Sequence, residues 1–390
     1  MAEIFLTIFF ISVLLFFLGT GIWVAISMIG VSAIGMMLFT SRPVGDAMAT
    51  TIWGTSSSWT LTALPLFVWM GEILFRTKLS ENLFKGLSPW MQKLPGGLIH
   101  VNVVGCALFA AISGSSAATV ATVGKMSIPE LRKRKYPEKL LLGSLAGSGT
   151  LGLLIPPSII LIIYGVAVQE SIAKLFIAGI IPGIMIALIF MSYVIIWSSL
   201  NKEKMPKINE NFTFFQKLKR SKQLLPVIIL ILGVIGSIYS GIATATEAAS
   251  LGVVGALLLS YFQKSLNIKT FKSSLLGATK TSCMIAFILA GSTFLSLAMG
   301  FTGLPRNLAI WIESMNLSPY VLIFVLMIFY IILGMFLDGI SAVVLTMAII
   351  EPMIRQAGFD MIWFGIFLVI VVEMAQITPP VGFNLFVLQG

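Results

Sequence analysis

Histidine, cysteine and charged residues are scarce in this sequence of 390 residues, and each shortage excludes a class of protein. The single histidine, His100, cannot form a site with several imidazole ligands, so no transition-metal centre is expected. The two cysteines, Cys106 and Cys283, lie in apolar stretches, which excludes a disulfide framework. Charged residues make up only 10% of the chain, which is too little to cover the surface of a soluble protein.

Apolar residues, in contrast, make up 58% of the chain. At roughly 20 residues for each bilayer crossing, this supply is sufficient for about eleven helical spans. The composition therefore predicts an all-α polytopic membrane protein, and it excludes a soluble enzyme, a disordered chain and a small secreted domain. No basic segment precedes the first apolar run, so no cleaved signal peptide is expected.

Two pairs of apolar segments are too short to cross a hydrocarbon core of roughly 30 Å. Residues 98–112 and 117–128 flank the tetrapeptide Ser113-Gly114-Ser115-Ser116, and residues 320–336 and 342–350 flank a turn with Asp338 and Gly339. Each pair is either two crossings or one re-entrant hairpin. The short segments favour two re-entrant hairpins.

The net charge of +10 reflects orientation in the membrane, and no nucleic-acid partner is expected. Four segments interpreted as loops between the spans hold 21 of the 25 basic residues: 76–97, 125–139, 198–223 and 264–281. With two hairpins, all four segments fall on one side, which the positive-inside rule assigns to the cytoplasm. The first hairpin then opens from the cytoplasm and the second from outside, so the two hairpins point towards each other.

This geometry predicts an internal repeat of inverted topology. Matches at an offset of 225 residues are Thr77, Leu79, Asn82, Leu83, Gly114, Ser116 and Ala117 with Thr302, Leu304, Asn307, Leu308, Gly339, Ser341 and Ala342. Matches at an offset of 223 are Pro129, Pro156 and Pro157 with Pro352, Pro379 and Pro380. Each half therefore contains crossings, one hairpin and one helix broken at a Pro-Pro pair. The first half adds a crossing at 175–197 that the second lacks before Gly390, so one further span, or a truncated chain, is expected.

The first two candidate sites are polar interruptions in the first half. At the tip formed by residues 113–116, free amides favour an anion, whereas free carbonyls and hydroxyls favour a small hard cation. At Gly152, Ile155 and Pro156, the adjacent prolines remove amide donors, and an ion or cavity water would satisfy the freed carbonyls. The alternatives are close packing at the tip and a structural kink at the prolines.

The other two candidate sites lie in the second half. The Asp338 carboxylate requires a partner within a membrane, and two interpretations are open. It binds a cation, either a sodium ion or a proton, or it caps the following helix by accepting from that helix's amides. Thr378 and Pro379 repeat the first helix break and lead to Asn384. Glu373, upstream, either faces the same cavity or is a buried structural acid.

Several motifs resemble those of the large membrane subunit of tripartite ATP-independent periplasmic (TRAP) transporters, and the resemblance covers essentially the whole chain. The most specific motifs are Leu94-Pro95-Gly96-Gly97, Ile112-Ser113-Gly114-Ser115, Ile155-Pro156-Pro157-Ser158, Thr246-Glu247-Ala248 and Thr378-Pro379-Pro380-Val381-Gly382. The resemblance implies an elevator-type, sodium-coupled carrier in the bacterial inner membrane. It also implies two protein partners, a small membrane subunit and a periplasmic binding protein that delivers a small organic acid, and no cofactor.

The resemblance also assigns roles to the interruptions. Candidate sodium ligands are Ser113, Gly114, Ser115, Ser116, Gly152, Ile155, Pro156, Asp338, Gly339, Thr378 and Pro379. Candidate substrate-binding residues are Ser115, Ser116, Ser158 and Asn384, at or near the starts of helices. Residues 98–166 and 301–390 would form the mobile transport domain, and residues 1–97 and 167–300 the scaffold.

Three alternatives differ in function. A stand-alone sodium/dicarboxylate carrier would need no binding protein. An ion channel would need charged or aromatic pore rings, which the sequence lacks. A membrane enzyme would need a placed base or nucleophile, and the sequence contains no such constellation.

Overall fold

The computed structural model describes residues 2–76, 79–206, 212–222, 224–303, 307, 318–379 and 382–389. Within these residues the regular secondary structure is entirely helical, which confirms the predicted all-α class. Helices of the first half are α1 (Ala2–Gly19), α2 (Val24–Phe39), α3 (Val44–Ser56), α4 (Ala63–Phe75), α5 (Leu79–Met91), α6 (Ile99–Ser113), α7 (Ser116–Lys133), α8 (Glu138–Gly149), α9 (Leu151–Leu154), α10 (Ile159–Ala167) and α11 (Ile172–Leu200). Helices of the second half are α12 (Phe214–Ser221), α13 (Leu225–Tyr239), α14 (Ala245–Phe262), α15 (Ile268–Thr302), α16 (Pro319–Gly334), α17 (Gly339–Gln356), α18 (Met361–Gln376) and α19 (Phe383–Gln389).

Four of the described helices, α11, α14, α15 and α17, are long and apolar enough to cross a membrane. The number rises to seven if each strongly bent pair counts as one span; one such pair comprises α8 and α9 followed by α10, with a bend of 41°. The apolar composition indicates more crossings than this. The difference arises because helices such as α6, α16 and α18 end after 15 or 16 residues, at the tips and breaks.

The two halves have the same order of elements around their hairpins. Helices α6 and α7 form the first hairpin, and α16 and α17 occupy the corresponding positions in the second half. Helices α7 and α17 both contain 18 residues, with Pro129 inside one and Pro352 inside the other. Thr77, Leu304, Leu308, Pro380, Val381 and Gly390, which belong to the sequence-based predictions, lie outside the described residues.

The basic segments are partly helical, which corrects their interpretation as loops. Helix α15 begins at Ile268, inside the segment 264–281, and continues without interruption to Thr302. Asn267 caps its first turn by accepting a hydrogen bond from Thr270 N at 2.8 Å. Helices α5 and α12 occupy parts of the segments 76–97 and 198–223. Charge counting does not distinguish a loop from an amphipathic helix at the membrane surface.

Helix α18 lies at the centre of the region that contains the tips and breaks. It packs against α16 and α17 from its own half and against α9, α10 and α11 from the first half. Helix α11, in contrast, presents a broad apolar face outward, with Ile181 77% exposed and Leu188 57% exposed. Such a face is stable only in contact with lipid or another apolar surface.

Candidate functional site

The tip of the first hairpin is a sharp turn between two helix ends. Helix α6 ends at Ser113, and Gly114 follows with a φ of 59°, a conformation that costs glycine little because it has no Cβ. Ser115 caps α7 by accepting a hydrogen bond from Ala118 N at 3.5 Å. The hydroxyl of Ser113 is 2.8 Å from that of Thr119. The tip is therefore ordered by its own serine and threonine side chains.

The first broken helix is interrupted immediately after Leu154. Ile155 is extended, with φ −76° and ψ 121°, and the proline pair separates α9 from α10. Ser158 restarts the helix: its hydroxyl accepts from Leu161 N at 3.3 Å and donates to the carbonyl of Leu153. This hydroxyl therefore donates to one backbone group and accepts from another, although Ser158 is a candidate substrate ligand.

The first tip and the first break are in direct backbone contact. A Cβ at Gly152 would lie 2.6 Å from the carbonyl oxygen of Ser115, and a Cβ at Gly114 would lie 2.9 Å from that of Pro157. Ile159 N also donates to the carbonyl of Gly114 at 3.3 Å. Glycine at 114 and 152 thus permits an approach that any side chain would block. Of the predicted sodium ligands of the first half, the structure brings Ser115 and Ser116 into contact with Gly152, and it places Gly114 against the chain just after the break.

The second tip is capped by an aspartate. Asp338 is exposed, and its Oδ2 accepts a hydrogen bond from Ser341 N at 3.2 Å, so it caps helix α17. The cap was one of the two sequence-based interpretations of Asp338, and a capping carboxylate retains lone pairs for a further partner. The sodium-binding interpretation stays a prediction.

The second break follows α18. Thr378 closes the end of this helix, because its amide donates to the Ala375 carbonyl at 3.0 Å and its hydroxyl to the Met374 carbonyl at 2.7 Å. Pro379 is exposed. The chain restarts as α19, which packs against α7 and α8 of the first half.

Both hairpin tips contact helix α18. From the first tip, Ser116 Oγ donates a hydrogen bond to Glu373 Oε1 at 2.6 Å. At the second tip, a Cβ on Gly339 would overlap Gln376 Nε2 and lie 2.9 Å from Val372 Cγ1. Both tips therefore contact the same part of α18, as the prediction of two hairpins that point towards each other requires.

Asn384 is buried at the start of α19 with no hydrogen-bond partner for either amide atom among the described residues. Burial of an unpaired amide is unfavourable, so a partner such as a bound ligand would stabilise it. This environment agrees with the predicted role of Asn384 in substrate binding. The hydroxyls of two other predicted substrate ligands, Ser158 and Ser116, already donate hydrogen bonds, to Leu153 and Glu373 respectively.

The sequence left the role of Glu373 open, and the structure makes it a contact between the two halves. Glu373 is 4% exposed, and its second oxygen, Oε2, has no partner in the described part of the chain. The only signal in the sequence was an acidic residue within an apolar helix. Its partner Ser116 lies 257 positions away, so no local pattern could identify the pair.

The family model and the relatives that match this sequence all describe the same protein family. Residues 11–390 match the family described as the DctM component of the tripartite ATP-independent periplasmic transporter. The C4-dicarboxylate TRAP transporter large permease protein DctM of Pseudomonas aeruginosa is 33% identical over 91% of this chain and 82% of its own length. The 2,3-diketo-L-gulonate TRAP transporter large permease protein YiaN of Escherichia coli is 31% identical over 88% of this chain and 80% of its own length.

Two further proteins are similar in architecture. The isethionate TRAP transporter permease protein DctMQ of Oleidesulfovibrio alaskensis is 31% identical over 96% of this chain, which corresponds to 59% of that longer protein. Among solved structures, the Alcanivorax borkumensis YdaH transporter superposes with a TM-score of 0.61 at 13% identity, over 96% of this chain and 90% of YdaH. The similarity to YdaH shows that the two proteins share a fold.

Proposed function

Because this chain belongs to the DctM family of TRAP transporter permeases, we propose that it carries a small organic acid across the bacterial inner membrane with a sodium gradient as the driving force. The family makes the protein a multi-pass transporter subunit and not an enzyme. The substrate class, the coupling ion, the mechanism of movement and the partners are the proposed parts.

Sodium coupling is supported mainly by the backbone contact between the first tip and the first break. Carbonyls at a helix end have no intrahelical partner, and proline removes two amide donors at the break. Ser115 and Gly152 bring such backbone groups into contact with each other, and Ser113 supplies a hydroxyl at the same tip. Ile155, three residues after Gly152 along the chain, would add a further carbonyl. Small hard cations prefer oxygen ligands of this kind. Asp338, Gly339, Thr378 and Pro379 would form the corresponding site in the second half.

An organic acid is supported by the substrates in the names of the relatives and by the chemistry of the helix starts. Those names include a C4-dicarboxylate, 2,3-diketo-L-gulonate and isethionate, which are all anions. Helix α7 begins at the first tip, and its N-terminal amides carry a partial positive charge. Ser115, Ser116 and the unpaired amide of Asn384 would hold the acid. Sodium would raise substrate affinity by binding the ordered tips in preference to open ones.

The proposed movement is that of an elevator. The two hairpins and two broken helices pack together around α18, and they would slide as one transport domain, 98–166 and 301–390, against the scaffold. Helix α11 would belong to the scaffold. The partners would be a small membrane subunit and a periplasmic binding protein. The longer DctMQ relative agrees with a permease joined to a second membrane subunit.

The test is uptake of candidate acids into proteoliposomes that contain this chain, the small membrane subunit and the binding protein. We expect uptake with an inward sodium gradient and its loss when choline replaces sodium. We also expect loss of uptake when the binding protein is omitted. Equal uptake in choline would contradict sodium coupling, and full uptake by this chain alone would identify a stand-alone carrier.

A further inference from the structure

Helix α12 exposes three large apolar side chains on one side. Phe214, Phe215 and Leu218 are 70%, 76% and 49% exposed. With about 3.6 residues per turn, the three side chains project from the helix axis within an arc of about 100°. Helix α5, which packs against α12, shows the opposite pattern, because its apolar residues Leu83 and Leu87 are buried. The apolar side of α12 is stable only in contact with lipid or another apolar surface.

Helix α5 holds α12 by a different side. Trp90, near the end of α5, donates from Nε1 to Ser221 Oγ at 2.7 Å, and its ring meets that of Phe214 edge to face with centroids 6.1 Å apart. The ammonium group of Lys217 lies 5.3 Å from the centroid of the Trp90 ring. Phe215 takes no part in these contacts and remains exposed. The contacts with α5 therefore fix α12 with its apolar side turned outward.

The remainder of α12 is strongly basic. Residues 212–222 contain no acidic side chain and four basic ones, Lys217, Lys219, Arg220 and Lys222. The last three are exposed. Within the ranges that the structure describes, none of the four forms an ion pair with a carboxylate. Four such charges beside an apolar side favour a partner that is both anionic and apolar.

The position of α12 in the chain places it at a membrane surface. The axes of α12 and the apolar helix α13 are bent by 59° relative to each other, so α12 turns away from the direction of that helix. Leu225 and Ile229, at the start of α13, are 51% and 64% exposed. The segment 198–223, which contains α12, falls on the side that the positive-inside rule assigns to the cytoplasm. Anionic lipids of the cytoplasmic leaflet attract basic segments at this surface.

The apolar and the basic side chains together identify the partner. A nucleic acid or a free phosphate ion would bind the cations but would leave Phe215 and Leu218 in water. An apolar protein surface would cover these two side chains but would leave the positive charges without counter-ions. An anionic bilayer surface offers both acyl chains and phosphate groups, and basic amphipathic helices with Phe and Leu on one face lie in this interface.

We propose that α12 binds the anionic phospholipids of the cytoplasmic leaflet. Phe215 and Leu218 insert between the acyl chains, and Lys219, Arg220 and Lys222 bind headgroup phosphates. The long aliphatic stems of lysine and arginine allow the charged ends to reach the headgroups while the helix lies at the acyl boundary. Anionic lipid thereby holds α12, and through the contacts of α12 with α5 it holds that helix as well.

The first test measures lipid binding by native mass spectrometry of this chain, purified in detergent and titrated with phosphatidylglycerol or with phosphatidylcholine of the same acyl chains. Each basic side chain near an anionic surface contributes about fivefold to binding. We expect the triple variant Lys219→Gln, Arg220→Gln, Lys222→Gln to bind phosphatidylglycerol at least about tenfold more weakly than the wild type and phosphatidylcholine equally well. An unchanged affinity for phosphatidylglycerol would overturn the proposal.

The matched control is the triple variant Lys133→Gln, Lys135→Gln, Lys139→Gln. These lysines are exposed in the basic segment 125–139, on the same side of the membrane, and no large apolar side chain of that segment is exposed. Loss of the same charge there should leave the affinity for phosphatidylglycerol nearly unchanged. An equal loss of affinity in the two triple variants would show an effect of net charge alone and would overturn a lipid site at α12.

Spin labels test the orientation of α12 independently of its charge. The background is Cys283→Ser, because Cys283 is exposed whereas Cys106 is buried. In bilayers that contain phosphatidylglycerol, a label at Phe215→Cys should be accessible to molecular oxygen, and a label at Arg220→Cys to a water-soluble nickel chelate. Equal access of the chelate to both labels would overturn the proposal. A label at Phe215→Cys that the small membrane subunit shields from both reagents would identify a protein partner instead of lipid.

Discussion

Ser116 Oγ donates a hydrogen bond of 2.6 Å to Glu373 Oε1, which joins the tip of the first hairpin to the broken helix of the second half. Both side chains are buried, Ser116 at 2% and Glu373 at 4% exposure. Ser115, the neighbouring residue, touches Gly152 at the first break. The tip therefore contacts the candidate sodium region on one side and Glu373 on the other.

The Ser116–Glu373 contact predicts the stability of a serine variant. Ser116→Ala leaves both Glu373 oxygens without a donor from the part of the chain that the structure describes, which we expect to cost about 1–3 kcal/mol of the free energy of unfolding. The matched control is Ser127→Ala on the same helix, because the Ser127 hydroxyl is buried without a partner among the described residues. Denaturation of the two purified variants at pH 6 checks the prediction. Equal decreases in their free energies of unfolding would show that the Ser116–Glu373 hydrogen bond does not stabilise the protein.

The contact at Gly152 predicts that an added methyl group impairs sodium binding. In Gly152→Ala the Cβ would meet backbone atoms of Ser115 and Ser116 at 2.6–2.8 Å, and backbone cannot rotate away as a side chain can. We expect overpacking of about 1–3 kcal/mol, which corresponds to a loss of apparent sodium affinity of about fivefold to 140-fold at 1.4 kcal/mol per factor of ten. Gly143→Ala, in α8 with nothing within 4 Å, is the control and should bind sodium normally. Sodium titration of uptake distinguishes them.

The sequence predicts the hairpins and breaks well because their signals are local. The tip of the first hairpin falls at Gly114, and the first helix break follows Leu154, as glycine and adjacent prolines require. The sequence also predicts an N-cap at Asp338, as one of two interpretations, from a polar residue before an apolar helix.

Elements without an apolar pattern are less predictable. Helix α3 (Val44–Ser56) contains no buried residue and is rich in threonine and glycine, so neither periodicity nor propensity indicates it. Helix α15 extends into a basic segment because its first turns are capped by Asn267, not because they are apolar. The Ser116–Glu373 contact depends on tertiary packing between the two halves, and no local pattern encodes it.

The unpaired amide of Asn384 predicts a variant that is stable but inactive. Replacing a buried, unpaired amide with an apolar side chain of similar size removes a desolvation cost, so Asn384→Leu should be at least as stable as the wild type without substrate. Its substrate-dependent thermal shift and its uptake should be lost. Ser282→Ala on α15 also removes a buried hydroxyl, one that has no partner within the described ranges, and this variant should keep full uptake. Normal uptake by Asn384→Leu would exclude Asn384 from the substrate site.

Variants of two aspartates that cap helices, Asp338 and Asp360, distinguish helix capping from ion binding. Asp338 caps α17, and Asp360 caps α18 by accepting from Trp363 N at 2.8 Å. Asparagine caps helices as well as aspartate does, so Asp338→Asn and Asp360→Asn should each change the free energy of unfolding by less than about 0.5 kcal/mol. Only Asp338→Asn should weaken sodium binding, by about tenfold. Equal sodium affinity in the two variants would show that Asp338 caps the helix and does not bind sodium.

The most direct test of the account is hydrogen–deuterium exchange of the purified membrane complex in sodium compared with choline, because sodium is proposed to order both hairpin tips. Exchange reports local opening of the backbone. We predict about tenfold slower exchange in sodium for the amides of residues 113–119 and 338–342, with no change in helix α14. Equal exchange rates of both tips in sodium and choline would contradict the proposal that the tips and breaks bind the coupling ion.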